Sequence, residues 1–279
     1  MRRGGEVRTA DSPQNAAVKR ARALERDREF REREGLYIAW GVHLAQEALR
    51  ARASVRQAFV GAGLQGSREG RDLLLRLGEA GVPIVRTTAR ILDTIVEGCG
   101  DQGILLLCAR REQSPAGLLR AGTAIVMAAH GVQDPGNLGS ILRSAGALGA
   151  SGLIALPGCA DPFGSRAVRA AMGTHFVLPV AVAGIGEFLA LARAARLQIV
   201  AADPAGPDAP PQADLTIPTV LLVGSEGAGL PGDLLDAAGR RVRVPMARGV
   251  ESLNVHAAAV ALLYESARQR GFRYVEGPG

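Results

Sequence analysis

The second half of the chain alternates apolar segments with amphipathic ones, and this alternation restricts the fold more than any other feature. Six segments are predicted to be strands, most of them continuously apolar, at 123–129, 153–156, 176–180, 197–202, 219–224 and 241–245. Helical spacing separates them at 138–148, 165–172, 185–195, 230–238 and 253–270. This pattern predicts an α/β fold with a parallel sheet covered on both faces, whose ligand-binding loops follow the carboxyl ends of the strands.

The length and composition suit two compact domains. The chain has 279 residues, of which 47% are apolar and 4% aromatic, and this excludes disordered, collagen-like and disulfide-scaffold proteins. A first small α/β domain is predicted over residues 35–110, a linker over 111–122 and the second domain over 123–279. The first domain has predicted strands at 55–60, 83–86 and 103–108 and predicted helices at 42–51, 71–77 and 89–96.

Half of the net charge lies on a short N-terminal segment. The formal net charge is +6, and residues 1–34 hold nine arginines and Lys19 against seven acidic residues. Because apolar periodicity is weak after Val18, we predict a flexible, solvated basic arm, with a short helix over 16–33 or an RNA-binding arm as alternatives. Lys19 is the sole lysine, and an arginine-rich excess suits phosphate partners, although genome composition explains it equally well.

The cysteines and the apolar runs indicate the cellular compartment that the chain suits. Cys99, Cys108 and Cys159 form no CxxC or Cys/His cluster, so neither a disulfide framework nor a metal site is predicted. No apolar run approaches the roughly 18 residues that a membrane span needs, and no signal-peptide core precedes the first domain. We therefore expect a cytoplasmic protein without a membrane partner.

The first of three loops with candidate chemistry is HGVQDPGNLGSILRSAGALGA, residues 130–150. Arg143 lies off the apolar stripe of the predicted helix, and Gly139 and Gly146, one turn away on either side, would let a ligand or another backbone come close. Asn137 lies just before the helix. The competing interpretations are an N-cap for Asn137 and a plain surface arginine for Arg143.

The other two loops lie near the C-terminus. In VLLVGSEGAGLPGDLL (220–235), Gly227, Gly229 and Gly232 match GxGxxG, but that fingerprint belongs to the first βα turn of a domain, and only about 47 residues follow here. A glycine loop from which Glu226 projects remains. In VPMARGVESLNVHAAAVALLYE (244–265), Ser252 is predicted to cap the last helix and Asn254 to lie in its first turn, with an ordinary capped helix as the alternative.

Taken together, the order and wording of the three loops resemble the SpoU (TrmH) branch of the SPOUT superfamily, which are S-adenosylmethionine-dependent RNA ribose 2′-O-methyltransferases. DPGNLGSILRSAGALGA resembles the first motif of this family, LLVGSEGAGLP the second and VPMARGVESLNVHAAAVALLYE the third. EGLYIAWGVHLAQEAL and ARILDTIVEGCGDQGILLL resemble its N-terminal substrate-binding domain, which is similar to L30e/L7Ae ribosomal proteins. The resemblance covers essentially all of residues 123–270.

The resemblance implies a SPOUT domain whose C-terminal segment threads a trefoil knot, whereas pattern alone predicts an unknotted sheet. It also implies a homodimer formed through the knot helices. It assigns cofactor binding to six residues, Gly224, Val244, Leu253, Met246, Ser225 and Gly227. It assigns catalysis to five residues, Arg143, Asn137, Glu226, Ser252 and Asn254. His256 is a departure, because the family more often has a small residue there, and a core histidine is the favoured interpretation.

The implied activity is methylation of a ribose 2′-hydroxyl in structured RNA. Because a guanidinium with a pKa above about 12 is not deprotonated in a protein, Arg143 is expected to act as an electrostatic clamp rather than a base. The substrate-binding domain favours 23S ribosomal RNA, and transfer RNA is the alternative. A non-catalytic RNA-binding relative is disfavoured because all five catalytic residues are present, and a nucleotide-dependent oxidoreductase depends on GxGxxG alone.

Overall fold

The computed structural model describes residues 7–111, 113–122, 124–249 and 252–273. Outside the described residues lie 1–6 of the predicted arm, 112 of the predicted linker and 123 of the first predicted strand of the second domain. Residues 250–251 of the third motif and 274–279 of the second domain also lie outside them. The chain divides into two compact units. The first contains residues up to 111 together with 163–176, and the second contains 112–162 and the residues from 177 onwards.

Helices and strands alternate through both units. The helices are α1 (Ala16–Arg26), α2 (Arg28–Glu34), α3 (Val42–Arg50), α4 (Arg68–Glu79), α5 (Ala89–Ile95), α6 (Cys99–Gln102), α7 (Pro115–Leu118), α8 (Pro135–Ala147), α9 (Ser165–Ala170), α10 (Ile185–Ala194), α11 (Gly232–Ala237) and α12 (Val255–Gln269). The strands are β1 (Val7–Thr9), β2 (Leu36–Trp40), β3 (Val55–Gly61), β4 (Ile84–Thr87), β5 (Ile104–Ala109), β6 (Ile125–Ala129), β7 (Leu153–Ala155), β8 (Val180–Val182), β9 (Gln198–Ala202), β10 (Thr219–Val223) and β11 (Arg240–Val242).

The first unit is built on a mixed sheet of β1 to β5. Its strand order is β1-β4-β3-β5-β2, in which β4 runs parallel to β1 and β3, and β5 runs antiparallel to β3 and β2. Helix α1 supplies Val18, Ala21 and Leu24 to the core under this sheet, where they join Phe59 and Leu92. The spacing of these α1 residues corresponds to one face of a helix, so burial of this face holds α1 on the domain.

The prediction of a flexible arm over 1–34 is therefore wrong for its helical part. Asn15 caps α1 by accepting a hydrogen bond from the Ala17 N–H at 2.9 Å, and Asp27 caps α2 by accepting from the Phe30 N–H at 3.0 Å. The buried Arg31 donates to the Glu25 carbonyl at 2.8 Å in the last turn of α1. The apolar stripe of α1 is narrow and lies among many charged residues, so the sequence pattern indicates it only weakly. The alternative prediction of a short helix over 16–33 is closer to the structure.

Residues 163–176 also differ from prediction, because they belong to the first unit and not to the second. Phe163 lies 5.5 Å from Tyr37 between ring centroids, and the Arg169 guanidinium lies 3.7 Å from the centre of the Trp40 ring. Ser165 Oγ donates to Glu25 Oε1 at 2.6 Å. The strand predicted at 176–180 is a 3₁₀ turn at Thr174–Phe176 followed by β8. These aromatic and polar partners are far away in sequence, so periodicity could not assign the segment.

The second unit contains a six-stranded, fully parallel sheet of order β11-β9-β10-β6-β7-β8. The parallel sheet and the strand–helix alternation were predicted correctly. The predicted linker contributes to this unit, because Leu118 and Leu119 join the core beside β6 and β10. Among the described residues, none of the helices combines the length and apolar character that crossing a membrane requires.

We predict that Leu24→Ala destabilises the chain, because Leu24 is fully buried in the core of the first unit. A buried leucine replaced by alanine typically costs about 2–5 kcal/mol, and urea denaturation followed by circular dichroism would measure the change. Lys19→Ala, on the exposed side of the same helix, is the matched control and should leave the unfolding midpoint nearly unchanged. Equal midpoints for Leu24→Ala and the unmodified chain would contradict the docked position of α1.

Candidate active site

A cavity of about 380 Å³ opens at the carboxyl ends of β9, β10 and β11. These three strands are neighbours at one side of the sheet, so the loops that follow them meet at one edge. The cavity is lined by residues 202–205, 223–230, 242–244 and 246 and by the segment leading into α12. Parallel strand order therefore assembles a single site from distant parts of the sequence.

The six predicted cofactor residues all line this cavity. They are Gly224, Val244, Leu253, Met246, Ser225 and Gly227. Apolar side chains of Leu230, Leu235, Val242 and Val255 form further wall, and Asp203 in the loop after β9 adds a carboxylate that forms an ion pair with Arg241. Sequence reasoning missed Asp203 and its neighbours Pro204 and Ala205, although their position directly after a predicted strand was a usable signal.

The glycine loop after β10 closes on itself. Ser225 and Gly229 exchange two backbone hydrogen bonds of 3.1 and 3.0 Å, and Ser225 Oγ accepts from the Ala228 N–H. A Cβ at Gly224 would lie 2.4 Å from the backbone of Gly229, so only glycine allows this close approach. Gly229 itself has φ +65°, in the left-handed region. Gly224 and Gly229 are therefore required by the shape of the loop.

One carboxylate oxygen connects three of the predicted catalytic residues. Glu226 Oε1 accepts hydrogen bonds from Asn137 Nδ2 at 2.9 Å and from Asn254 Nδ2 at 2.6 Å, and a longer one of 3.4 Å from the Val255 N–H. Asn254 Nδ2 also lies 3.2 Å from Asn137 Oδ1. Glu226 thus orients both amide side chains, which come from α8 and from the start of α12.

The helix caps differ from those expected. Asp134 caps α8 by accepting from the Asn137 N–H at 2.7 Å, so Asn137 lies inside the first turn and its side chain is left for Glu226. Asn254 caps α12 by accepting from the His256 N–H at 2.9 Å, whereas Ser252 precedes the cap and lines the cavity. The alternative interpretation of Asn137 as a cap, the predicted cap role of Ser252 and the predicted place of Asn254 in the first turn are therefore wrong.

Arg143 lies apart from this cluster. Its side chain is exposed on α8, and among the described residues it forms no hydrogen bond or ion pair and does not line the cavity. Its charge acts on His256, a half-buried residue whose Nε2 lies 2.9 Å from Ser144 Oγ. Burial lowers the pKa of His256 below its ordinary value, and the Arg143 guanidinium lowers it further. His256 is therefore neutral at pH 7 and links α12 to α8.

Comparisons with known proteins agree with this geometry. A family model described as the SpoU rRNA Methylase family matches residues 124–264, and one described as an MRM3-like substrate binding domain matches residues 15–105. An uncharacterised tRNA/rRNA methyltransferase of Mycobacterium tuberculosis is 32% identical over 98% of this chain and 94% of its own length. The 23S rRNA (guanosine(2553)-2′-O)-methyltransferase RlmP of Bacillus subtilis is 29% identical over 92% of this chain and 98% of its own.

A solved structure is similar along nearly the whole chain. It is the AdoMet-bound rRNA methyltransferase from Sinorhizobium meliloti, with a TM-score of 0.81 and 31% identity. The similarity covers 95% of this chain and 98% of the solved one, so it includes both compact units.

We predict that His256 makes the stability of the chain depend on pH. The unfolded state binds a proton near the ordinary pKa of 6.5, and the folded state only at lower pH, so stability is lost as pH falls below about 6.5. Urea midpoints at pH 7.5 and pH 5.5 should therefore differ less in His256→Gln than in the unmodified chain. Ser144→Ala is the matched control, because it removes the hydrogen-bond partner and keeps the titrating group. An equal loss of midpoint in His256→Gln and the unmodified chain would refute this role.

Proposed function

This chain belongs to the SpoU rRNA methylase family, and from that premise we propose that it transfers a methyl group from S-adenosylmethionine to a ribose 2′-hydroxyl of 23S ribosomal RNA. The observation that carries the proposal is the hydrogen-bonded set of Asn137, Glu226 and Asn254 beside the cavity. The AdoMet-bound relative and the 23S rRNA 2′-O-methyltransferase relative support the cofactor and the substrate.

The cavity suits S-adenosylmethionine. Its walls join apolar side chains, such as Leu230 and Val242, with the backbone of the closed glycine loop, and a side chain at Gly224 would destroy that loop. Residues 224–227, Val244, Met246 and Leu253 would hold the cofactor. When bound, it supplies an electrophilic methyl group on a sulfonium.

The remaining chemistry concerns the ribose. A neutral hydroxyl is a poor nucleophile, so its proton must pass to solvent water, and the site must stabilise the charge that develops on oxygen. The exposed Arg143 guanidinium has no partner in the described chain and is free to contact this oxygen and a neighbouring phosphate. Glu226 is a positioning residue, because its Oε1 holds the two asparagine amides in place. Ser252, at the rim of the cavity, completes the proposed set.

We further propose a homodimer that forms through α8 and α12. The exposed side of α12 carries Ala257 and Tyr264, and the Tyr264 and Phe272 rings lie 5.5 Å apart with 53% and 43% of their surface exposed. Small residues beside an exposed aromatic pair allow two helices to approach closely.

We also propose that the C-terminal segment forms the trefoil knot. The loops at 203–205, 224–230 and 243–246, which border one cavity, support this proposal. We propose a cytoplasmic location as well. An experimental chain trace and cell fractionation would test these.

We predict that Arg143→Ala lowers methyl transfer by roughly 10²–10³-fold, the usual effect of removing one donor to a developing oxyanion. Tritium transfer from labelled S-adenosylmethionine to 23S rRNA measures the rate, and calorimetry should give unchanged cofactor affinity. Arg193→Ala on α10, which is exposed in the same unit, is the matched control and should retain full activity. Turnover by Arg143→Ala comparable to that of the unmodified chain would show that Arg143 does not stabilise the charge on the ribose oxygen.

A second experiment tests the proposed function itself. Mass-spectrometric mapping of 2′-O-methyl nucleotides, in RNA from cells with and without the gene, should show one 23S rRNA site that depends on the chain. If methylation depends on the chain only at a site in transfer RNA, transfer RNA is the substrate and 23S rRNA is not. Binding of NAD in place of S-adenosylmethionine would favour the oxidoreductase interpretation instead, and RNA binding without any transfer would favour a non-catalytic relative.

For the dimer, we predict that Tyr264→Glu shifts the chain from dimer to monomer, because it introduces a charge into an apolar contact. Sedimentation velocity at micromolar concentration measures the change. Leu75→Glu, at a residue of the first unit that is 68% exposed, is the control and should stay dimeric. A monomeric unmodified chain would disprove the proposal.

A further inference from the structure

The outward side of α1 carries a row of cations that the proposed reaction does not use. Lys19, Arg22 and Arg26 line a shallow groove on this helix, on the side away from the buried residues Ala21 and Leu24. They occur at positions i, i+3 and i+7, so they share one side and extend over roughly 10 Å of helix. We call these three residues the α1 basic row.

Nearby acids do not neutralise this row. Within the described residues, Lys19, Arg22 and Arg26 form no ion pair, whereas three acidic side chains of α1 and α2 have other partners. Glu34 pairs with Arg20 at 2.6 Å, Glu32 pairs with Arg28 at 2.9 Å, and Glu25 accepts the Ser165 hydroxyl at 2.6 Å. Burial raises the pKa of the Glu25 carboxyl, which weakens its negative charge.

Arg22 has a donor that the fold leaves unsatisfied. Its Nε is buried from solvent and has no hydrogen-bond partner in the described part of the chain. Its guanidinium is therefore not held by an acceptor at this atom, and a buried donor without an acceptor is costly. A guanidinium is also the side chain whose fork matches a phosphate with two parallel hydrogen bonds. Arg22 thus adds to the row a guanidinium that lines the groove and whose Nε has no acceptor in the described residues.

We propose that the α1 basic row binds the phosphate backbone of the substrate RNA, away from the methyl-transfer cavity. The inference depends on the proposed function for the nature of the partner. A linear row of cations suits successive phosphates of a strand, and it carries no base specificity. Binding to a membrane surface would require apolar anchors beside the cations, and the only apolar residue that lines the groove is Ala23. The row therefore suits RNA better than a membrane.

The test is the salt dependence of RNA binding by the full chain. The triple variant Lys19→Ala, Arg22→Ala, Arg26→Ala should bind a 23S rRNA fragment more weakly, and the slope of log K against log salt should decrease by about 2–3, at 0.7–0.9 for each lost phosphate contact. The matched control is Arg20→Ala, Arg28→Ala, Arg50→Ala, which removes the same charge from residues already paired with Glu34, Glu32 and Glu47. The control should keep most of the slope.

Each outcome decides between distinct conclusions. An unchanged slope in the row variant, or an equal decrease in the control, overturns the α1 basic row while leaving the proposed methyl transfer intact. Absence of tritium transfer by the unmodified chain overturns the proposed function first. S-adenosylmethionine titration confirms that both variants fold, and the double variant Lys19→Gln, Arg26→Gln, which retains Arg22, should lose an intermediate part of the slope. Binding to anionic vesicles in preference to RNA would also contradict the proposal.

Discussion

The hydrogen bonds to Glu226 Oε1 are the interaction on which the candidate site depends. They join Asn137 of α8, Asn254 at the start of α12 and the loop after β10, although these residues lie up to 117 positions apart in the sequence. A single carboxylate can hold both amides only if the three segments arrive at the same sheet edge. β6, which leads into α8, lies beside β10 in the parallel sheet, and the packing of α12 against α8 and β10 brings Asn254 to the same place. The sheet order therefore determines the chemistry that the site can perform.

Sequence reasoning succeeded where one short segment contains its own signal. The parallel sheet followed from the apolar runs, and the six residues that the family resemblance assigned to the cofactor lie around one cavity. The cap positions failed by a few residues, because Asp134 and Asn137 are both suitable caps and only the bond to Glu226 distinguishes them. The segment 163–176 failed for a different reason, since its partners Tyr37, Trp40 and Glu25 lie more than a hundred residues away. Long-range pairing of this kind leaves no local pattern.

The N-terminal charge has three separate uses, which composition could not distinguish. Arg31 is buried and donates to a carbonyl in the last turn of α1, so it stabilises the junction of two helices. Arg20 and Arg28 are in exposed ion pairs, which contribute little stability. The α1 basic row remains unpaired. Among the cations of α1, those without an ion pair in the described residues are thus confined to one side of the helix.

The site also separates function from stability. Glu226, Ser252, Asn254 and Arg143 are exposed, whereas the residues that hold their segments, such as Leu138, Val255 and Ala259, are buried. His256 is the exception, because it is half-buried, contacts Ser144 across two helices and lies within reach of the Arg143 charge. A neutral imidazole there stabilises the contact between α8 and α12 without adding a second cation beside Arg143. A protonated imidazole would place a second positive charge near the Arg143 guanidinium, and burial and that guanidinium together lower the pKa of His256 below its ordinary value.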